Sequence, residues 1–263
     1  MRSGLSVILK RELFALAVSP VTYLTFTLFY LFRAFEVQSL IAQFGQRGSV
    51  EGFAYYYLAS PSTQFAVVMV PPVLTMRALA EEKRTGSLEL LVTAPVRDHQ
   101  IVLGKWAAAQ ILYMLLWLPG LLMLVLLQGS AFLGASFAWG PVLSGYLGLL
   151  ALGSMLVAFG ILSSSLTDNQ LLASLCSMLF GLGLLVLPPL LVQKLAAVNE
   201  AFAHPGVDSG ILPVLLDQAH VARHLGAWFF RGVVDSGHLA FYLTSAALFL
   251  FFAVRVLESR RWK

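Results

Sequence analysis

The sequence predicts an all-α membrane protein with six transmembrane helices. Only 11% of its 263 residues are charged and 59% are hydrophobic, whereas a soluble globular domain carries about 25% charged residues. The charges also leave long gaps, because residues 13–32, 52–76, 106–167 and 169–193 contain no Asp, Glu, Lys, Arg or His. A helix that crosses a hydrocarbon core of about 30 Å needs about 20 residues, and each gap is at least that long. The composition therefore excludes a soluble enzyme and a disordered tail.

The gaps hold five predicted helices, and a sixth follows in a shorter apolar stretch near the carboxyl end. The six helices cover about residues 15–35, 62–80, 106–128, 141–166, 169–192 and 239–256. The longest gap holds two of them, because it exceeds one span and splits at a turn-rich stretch, 128–141. The first apolar run is too long for the core of a cleaved signal peptide, so we expect it to stay in the protein.

An amphipathic stretch precedes the first predicted helix. It contains Lys10, Arg11 and Glu12 among apolar residues, and Pro20 redirects the chain after it. We expect this stretch to lie along the membrane surface.

Several local signals refine the predicted helices. Pro71-Pro72, Pro119-Gly120 and Pro188-Pro189 are expected to kink or break the second, third and fifth helices. Thr167-Asp168 predicts a tight turn and the N-cap of the fifth helix. The single cysteine, Cys176, is interpreted as a buried core residue, which excludes a disulfide framework and a thiolate metal site.

The basic residues predict the orientation. Of the 17 Lys and Arg residues, 12 fall at the amino terminus, in the loop after the second helix or in the carboxyl-terminal tail. Because Lys and Arg concentrate on the cytoplasmic side, both termini are predicted to be cytoplasmic. The net charge of +4 therefore reflects topology. No basic run with interleaved polar positions indicates nucleic-acid binding.

The largest polar segment on the predicted cytoplasmic side covers residues 77–98. Charged residues come first, and apolar residues at helical spacing follow Gly86 until Pro95 ends the pattern. A short helix of this kind suits docking into a groove on a soluble partner, although an ordinary solvated loop has a similar composition. The residues expected to make the contact are Arg77, Glu81, Glu82, Lys83, Arg84, Gly86, Leu88, Glu89, Leu91, Val92 and Pro95.

This segment carries a family resemblance. Residues 81–95 (EEKRTGSLELLVTAP), continuing to VLGK at 102–105, resemble the signature of ABC-2 type permeases, the membrane subunits of one class of ATP-binding-cassette (ABC) transporter. FRGVVD at 230–235 and LESRRW at 257–262 resemble the GldF-like gliding-motility branch of that family. The resemblance follows the segment order of the whole chain and implies a single transmembrane domain over residues 1–263.

The resemblance also implies roles for the segments. Residues 81–95 correspond to the coupling helix that contacts the ATPase subunit, and the stretch with Lys10, Arg11 and Glu12 corresponds to the interfacial elbow helix. A long external loop is expected between the fifth and sixth helices. Within it, residues 215–230 are interpreted as an amphipathic helix with its final aromatic residues, 228–230, at the membrane interface.

The implied function is that of an export permease in the bacterial inner membrane. It would dimerise, with itself or with a similar chain, and bind two ATPase subunits that carry the ATP and Mg²⁺. The sequence has no GxxxxGK[ST] phosphate-binding loop, so we expect that the chain itself does not hydrolyse ATP. We also expect that it binds no cofactor. The predicted helix midpoints also lack ionisable residues, which argues against a proton relay.

An alternative remains open at this point. In the GldF-like branch, a complex of this kind is accompanied by a membrane protein with an external domain. ATP hydrolysis could then do mechanical or regulatory work on that partner without moving a solute. The sequence does not identify an exported substrate.

Three motifs have weaker catalytic interpretations. His220 and His224 share a helix face, as metal ligands can, but no third ligand is evident. Glu81-Glu82 resembles the carboxylate pair of membrane-embedded CAAX-type proteases, but the following arginine comes too early. Ser163-Ser164-Ser165 has no His or Lys in its helix. We therefore expect no metal site and no catalytic site, and an intramembrane enzyme is the least favoured class.

Overall fold

The computed structural model describes residues 4–47, 52–87, 96–129, 138–201 and 221–259. These ranges are almost entirely helical and contain no strand. The elements are α1 (Gly4–Val18), α2 (Pro20–Arg47), α3 (Phe53–Leu58), α4 (Pro61–Thr75), α5 (Ala80–Arg84), α6 (Asp98–Gly129), α7 (Trp139–Leu166), α8 (Gln170–Ala201), α9 (Val221–Ala227), a 3₁₀ turn (Phe229–Arg231) and α10 (Ser236–Ser259).

The prediction of six spans is confirmed. Six helical stretches within the described ranges are long and apolar enough to cross a membrane. They are Pro20–Gly45, Phe53–Arg84, Asp98–Gln128, Trp139–Leu166, Gln170–Leu191 and Ser236–Ser259. The chain is therefore a multi-pass membrane protein.

Helix α7 lies at the centre of the bundle. It packs against α4, α6, α8 and α10. In its most apolar stretch of 18 residues, 78% of the residues are buried, compared with 22% in the corresponding stretches of α2, α8 and α10. Side-chain hydrogen bonds join it to α6: Gln110 Nε2 donates to the Leu150 carbonyl at 3.2 Å, and Trp106 Nε1 donates to the Ser154 carbonyl at 3.4 Å. Polar contacts of this kind hold spanning helices together where lipid supplies no hydrophobic drive between them.

The chain breaks between α1 and α2, at the proline that the sequence indicated. Pro20 is the first residue of α2, where its missing N–H and fixed φ are compatible with a helix start. Helix α2 therefore begins at Pro20, later than the predicted residue 15, and continues beyond 35 to Arg47. This shift moves Arg33 from a helix end to the middle of a buried helix face, where it is 6% exposed. The expectation that helix midpoints lack ionisable residues is therefore wrong for α2.

The second span is divided near its end. Pro71 and Pro72 lie inside α4, which ends at Thr75, and a turn over residues 76–79 separates it from α5. The turn places the five residues of α5 beside the ends of α7 and α8.

Helix α6 begins eight residues before the predicted start, at Asp98. At 1.5 Å per residue, its 32 residues extend about 48 Å, so its first turns continue beyond a hydrocarbon core of about 30 Å. Helix α1 packs along these turns. The approach is close at Gly104, where an added Cβ would lie 2.8 Å from Ile8 Cγ2.

Three local expectations are corrected. The N-cap of α8 is Asn169, whose Oδ1 accepts from the Leu171 N–H at 2.9 Å, and not Thr167 or Asp168. Phe229 and Phe230 are buried against α7, so only Trp228 of this aromatic group is exposed. Cys176 is exposed on the outer face of α8 and is not a core residue. Most of the apolar stretch of this helix is not buried, and an apolar sequence does not show which of its sides faces the core.

Candidate functional site

The short charged helix α5 is held at its start by a side chain from α7. Ser164 Oγ accepts from the backbone N–H groups of Leu79 and Ala80, each at 3.0 Å. The first N–H groups of a helix have no intrahelical partner, so this hydroxyl acts as a cap supplied by a distant segment. At the other end, Gly86 adopts a φ of 73°, a left-handed conformation that favours glycine and ends the helix.

A cluster of four charged residues joins α5 to α1 and α6. Lys105 Nζ of α6 lies 3.0 Å from Glu12 Oε1 and 2.9 Å from Glu82 Oε1. Arg11 Nη2 lies 2.7 Å from the same two carboxylate oxygens. We call these residues, Arg11, Glu12, Glu82 and Lys105, the charged cluster. Two cations and two anions alternate in it, so its net charge is zero.

Three of the four residues in the charged cluster are largely withdrawn from solvent, whereas Arg11 is 54% exposed. The Lys105 side chain is 2% exposed, and the Glu12 and Glu82 side chains are 13% and 14% exposed. Buried charges are stable only when paired and hydrogen-bonded. Burial opposes the charged form of Arg11, but Glu12 and Glu82 outweigh it and raise the pKa of Arg11 above its ordinary value. The guanidinium therefore stays charged across the accessible pH range.

A second basic side chain fastens α5 to the connection between α7 and α8. Lys83 Nζ donates to the Ser165 carbonyl and lies 3.5 Å from the Thr167 carbonyl and 3.8 Å from Asp168 Oδ1. Its side chain is only 3% exposed. Cations near the carboxyl end of a helix are favoured, because unpaired carbonyl groups carry partial negative charge there. Helix α5 is thus attached to α1, α6, α7 and the start of α8.

The predicted contact residues divide into four groups. Arg77, Glu81 and Glu82 line a cleft of about 240 Å³ together with Arg11, Glu12 and Lys105. Lys83 is directed into the bundle, whereas Arg84 and Gly86 are exposed. The remaining five predicted contacts, Leu88, Glu89, Leu91, Val92 and Pro95, lie outside the described residues. Of the predicted elbow residues, Arg11 and Glu12 join the charged cluster and Lys10 is exposed.

Sequence reasoning missed two residues of this site. Lys105 falls in a predicted loop, although a lysine directly before a long apolar run marks a residue at the helix–membrane boundary. Ser164 stands out in the sequence only as a weak candidate nucleophile, whereas its hydroxyl caps α5. The sequence carries no signal for this second contact, because it joins residues 84 and 85 positions apart.

The histidine expectation changes in part. His220 lies outside the described residues. The ring of His224 packs on His238 of α10 with ring centroids 3.6 Å apart, and His238 Nδ1 lies 2.8 Å from Asp235 Oδ2. Across the described ranges, no group of three or more His, Cys, Asp or Glu residues is arranged to hold a metal ion.

The sequence model of a known protein family matches this chain. The sequence model of a family described as "ABC-2 family transporter protein" matches residues 35–201, more than half of the chain. The match includes α5, Lys105 and Ser164. A search of curated proteins finds no match.

Proposed function

The chain belongs to the ABC-2 transporter family, and from this premise we propose that it is a permease subunit driven by a separate ABC ATPase. Permeases of this family normally work with such an ATPase. In our proposal, ATP and Mg²⁺ bind to two copies of that partner, and the complex exports a solute across the bacterial inner membrane. The attachment of α5 to four other helices carries the proposal.

The proposed coupling helix covers residues 81–95, of which α5 supplies the first part. The exposed charge at Arg84 suits an electrostatic contact with a soluble partner. The apolar side chains predicted to fill the partner's groove are Leu88, Leu91 and Val92. Closure of the two ATPase subunits on ATP would push this segment toward the membrane.

The contacts of α5 explain how such a push would spread. Glu82 would transmit it through the charged cluster to α1 and α6, and Lys83 would transmit it to the α7–α8 connection. A packed and paired contact moves as a unit, because separating buried opposite charges costs several kcal/mol. Helix α4, with Pro71 and Pro72 inside it, is the proposed bending element between α5 and the rest of the bundle.

Helix α1 is the proposed elbow helix. It precedes the first span, and its contacts with the described residues are made chiefly with α6. Lys10 is exposed, Arg11 contacts Glu82 of the coupling segment, and Glu12 pairs with Lys105 of α6. We propose that α1 lies along the cytoplasmic interface and that both termini are cytoplasmic, as the distribution of Lys and Arg favours.

We further propose that the permease acts as a dimer, of two copies or of this chain and a similar one. Helices α2 and α8 expose apolar side chains over most of their membrane-spanning length, which suits contact with lipid or with a second subunit. The resemblance to the GldF-like branch motivates a third partner, a membrane protein with an external domain.

The test uses the complete complex with its co-expressed ATPase, reconstituted in liposomes. Leu91→Asp is expected to leave the permease folded, by gel filtration and thermal melting, but to abolish co-purification of the ATPase. Leu91→Met is the matched control and should behave as wild type. A Leu91→Asp complex that retains its ATPase and full activity would contradict the coupling assignment. Coupled ATP hydrolysis without movement of any solute would replace export by the mechanical alternative.

A further inference from the structure

A cavity between α2, α3 and α6 is lined in part by a buried arginine, Arg33. The cavity measures about 470 Å³. Its lining is mainly apolar and aromatic, and includes Phe29, Tyr30, Trp117 and Met123 with Arg33. Ligand pockets have volumes of about 300–1,000 Å³ and combine such a lining with a few polar groups. A charged residue within a membrane span is costly and is by default a functional candidate.

The Arg33 guanidinium is fixed on one side by the start of α4. Its Nη1 lies 2.5 Å from Ser60 Oγ, 2.7 Å from Thr63 Oγ1 and 3.0 Å from Ser62 Oγ. The guanidinium carbon lies 3.7 Å from the centroid of the Tyr57 ring, a cation–π distance. These contacts position the group without neutralising it, because hydroxyls and rings carry no net charge.

One carboxylate lies near Arg33, but it is already engaged. Glu36 Oε1 accepts from the Ser62 N–H at 3.4 Å, and Glu36 Oε2 accepts from the Ser62 hydroxyl. Arg33 Nη1 is 3.4 Å from Glu36 Oε2, longer than the 2.7–2.9 Å of a strong charge-assisted bond. Glu36 therefore pairs with the Nη1 side of Arg33 through a long contact, and the donors of Arg33 Nη2 remain unused.

One polar atom of the cavity lining has no partner. Arg33 Nη2 is buried and makes no hydrogen bond to any described residue. Of the neighbouring donors in the lining, the Tyr57 hydroxyl interacts with that of Tyr146 beside Gly120, and the Trp117 indole interacts with the Tyr113 hydroxyl. A buried polar group left unpaired is costly. A guanidinium and an indole can only donate, and a hydroxyl can donate as well.

We propose that this cavity binds a single-chain anionic amphiphile, whose acidic head group accepts hydrogen bonds from Arg33 Nη2 and the neighbouring donors. A carboxylate or phosphate monoester supplies the acceptor that Arg33 Nη2 lacks. Its apolar chain lies against Phe29, Trp117 and Met123. Helix α2 exposes Leu31 and Phe35 toward the surrounding hydrocarbon, so an amphiphile dissolved in the bilayer lies close to the site. The site does not depend on the ATPase coupling proposed above.

The experiment measures equilibrium binding of radiolabelled dodecanoate to the full-length protein in neutral maltoside micelles. Unlabelled dodecyl phosphate should compete with it, and the relative strength of dodecanoate and dodecyl phosphate identifies the preferred head group. Dodecanol and dodecyltrimethylammonium have the same chain and should compete at least tenfold more weakly. Equal competition by all four compounds would overturn the proposal.

The variants separate this site from general effects of charge. Arg33→Gln should weaken dodecanoate binding at least tenfold. Arg255→Gln is the matched control, because Arg255 also pairs with a glutamate three residues later and contacts a phenylalanine ring, but is exposed and far along α10. Tyr57→Phe and Trp117→Phe each remove one polar group and should weaken binding severalfold. If Arg33→Gln does not fold, these two variants test the site in its place. Wild-type affinity for dodecanoate in both Tyr57→Phe and Trp117→Phe would refute the site.

Discussion

Replacement of Lys105 by methionine tests the charged cluster most sharply. The substitution keeps an unbranched apolar stem and removes the ammonium group that lies 3.0 Å from Glu12 and 2.9 Å from Glu82. The cluster then changes from a net charge of zero to −1, with Arg11 as its remaining cation. Breaking a fully buried pair costs about 3–5 kcal/mol. Because both carboxylates are slightly exposed and Arg11 still contacts them at 2.7 Å, we expect a loss of about 2 kcal/mol in the free energy of unfolding.

The assay is equilibrium unfolding in mixed micelles, with Lys10→Met as the matched control. Lys10 lies on α1, next to Arg11 of the cluster, and is exposed, so its replacement should change the free energy by less than about 0.5 kcal/mol. The double variant Lys105→Met/Glu82→Gln restores a net charge of zero and should recover about 1 kcal/mol relative to Lys105→Met. If Lys105→Met is as stable as Lys10→Met, or if the two changes at 105 and 82 simply add, the reasoning about the cluster is refuted.

Three further predictions concern single contacts. Ser164→Ala removes the acceptor for two N–H groups of α5, so amide exchange at residues 79 and 80 should accelerate about tenfold, the equivalent of 1.4 kcal/mol; Ser174→Ala, which removes only a bond within its own helix, should leave it unchanged. Gly104→Leu should detach α1 and expose it to proteolysis at a cost of about 1–3 kcal/mol, whereas Gly183→Leu, with no atom within 3.5 Å of an added Cβ, should not. Hydrogen bonds from the Gly237 N–H and His238 lower the pKa of Asp235, so its stabilisation is present above the ordinary pKa and is lost as pH falls below about 4. The melting temperature of Asp235→Asn should therefore show a flatter dependence on pH in that range, and an unchanged dependence would contradict the assignment.

The spans could be predicted from sequence because their cause is local. Twenty or more residues without a charge fit a hydrocarbon core whatever they pack against, so the four gaps in charge are sufficient to find five of the spans. The sixth span contains a shorter apolar stretch, 239–254, that ends before Arg255. The exact start of α2 was harder. The apolar run begins before Pro20, and only the helix break at that proline shows that the run belongs to two helices. That one change of boundary placed Arg33 inside the bundle.

The candidate site could be predicted only as a segment. The charged residues after Arg77, followed by apolar residues at helical spacing, indicate a docking region, and the family match covers it. The partners of that region could not be predicted, because Ser164 and Lys105 reach it from other helices. In both cases the sequence shows an ordinary serine or lysine, and the contact arises only when α6 and α7 pack beside α5.

The central claim is that an ABC ATPase contacts the protein at α5. A photo-cross-linking residue at Arg84, which is exposed on α5, tests it directly in the intact complex. The control is the same photo-cross-linking residue placed at Tyr56, which is 52% exposed. Tyr56 lies in α3, which comes directly before α4, whereas α5 follows the other end of α4. The account predicts a cross-link to the ATPase from position 84 and none from position 56. An active complex that cross-links from position 56 and not from position 84 would contradict it.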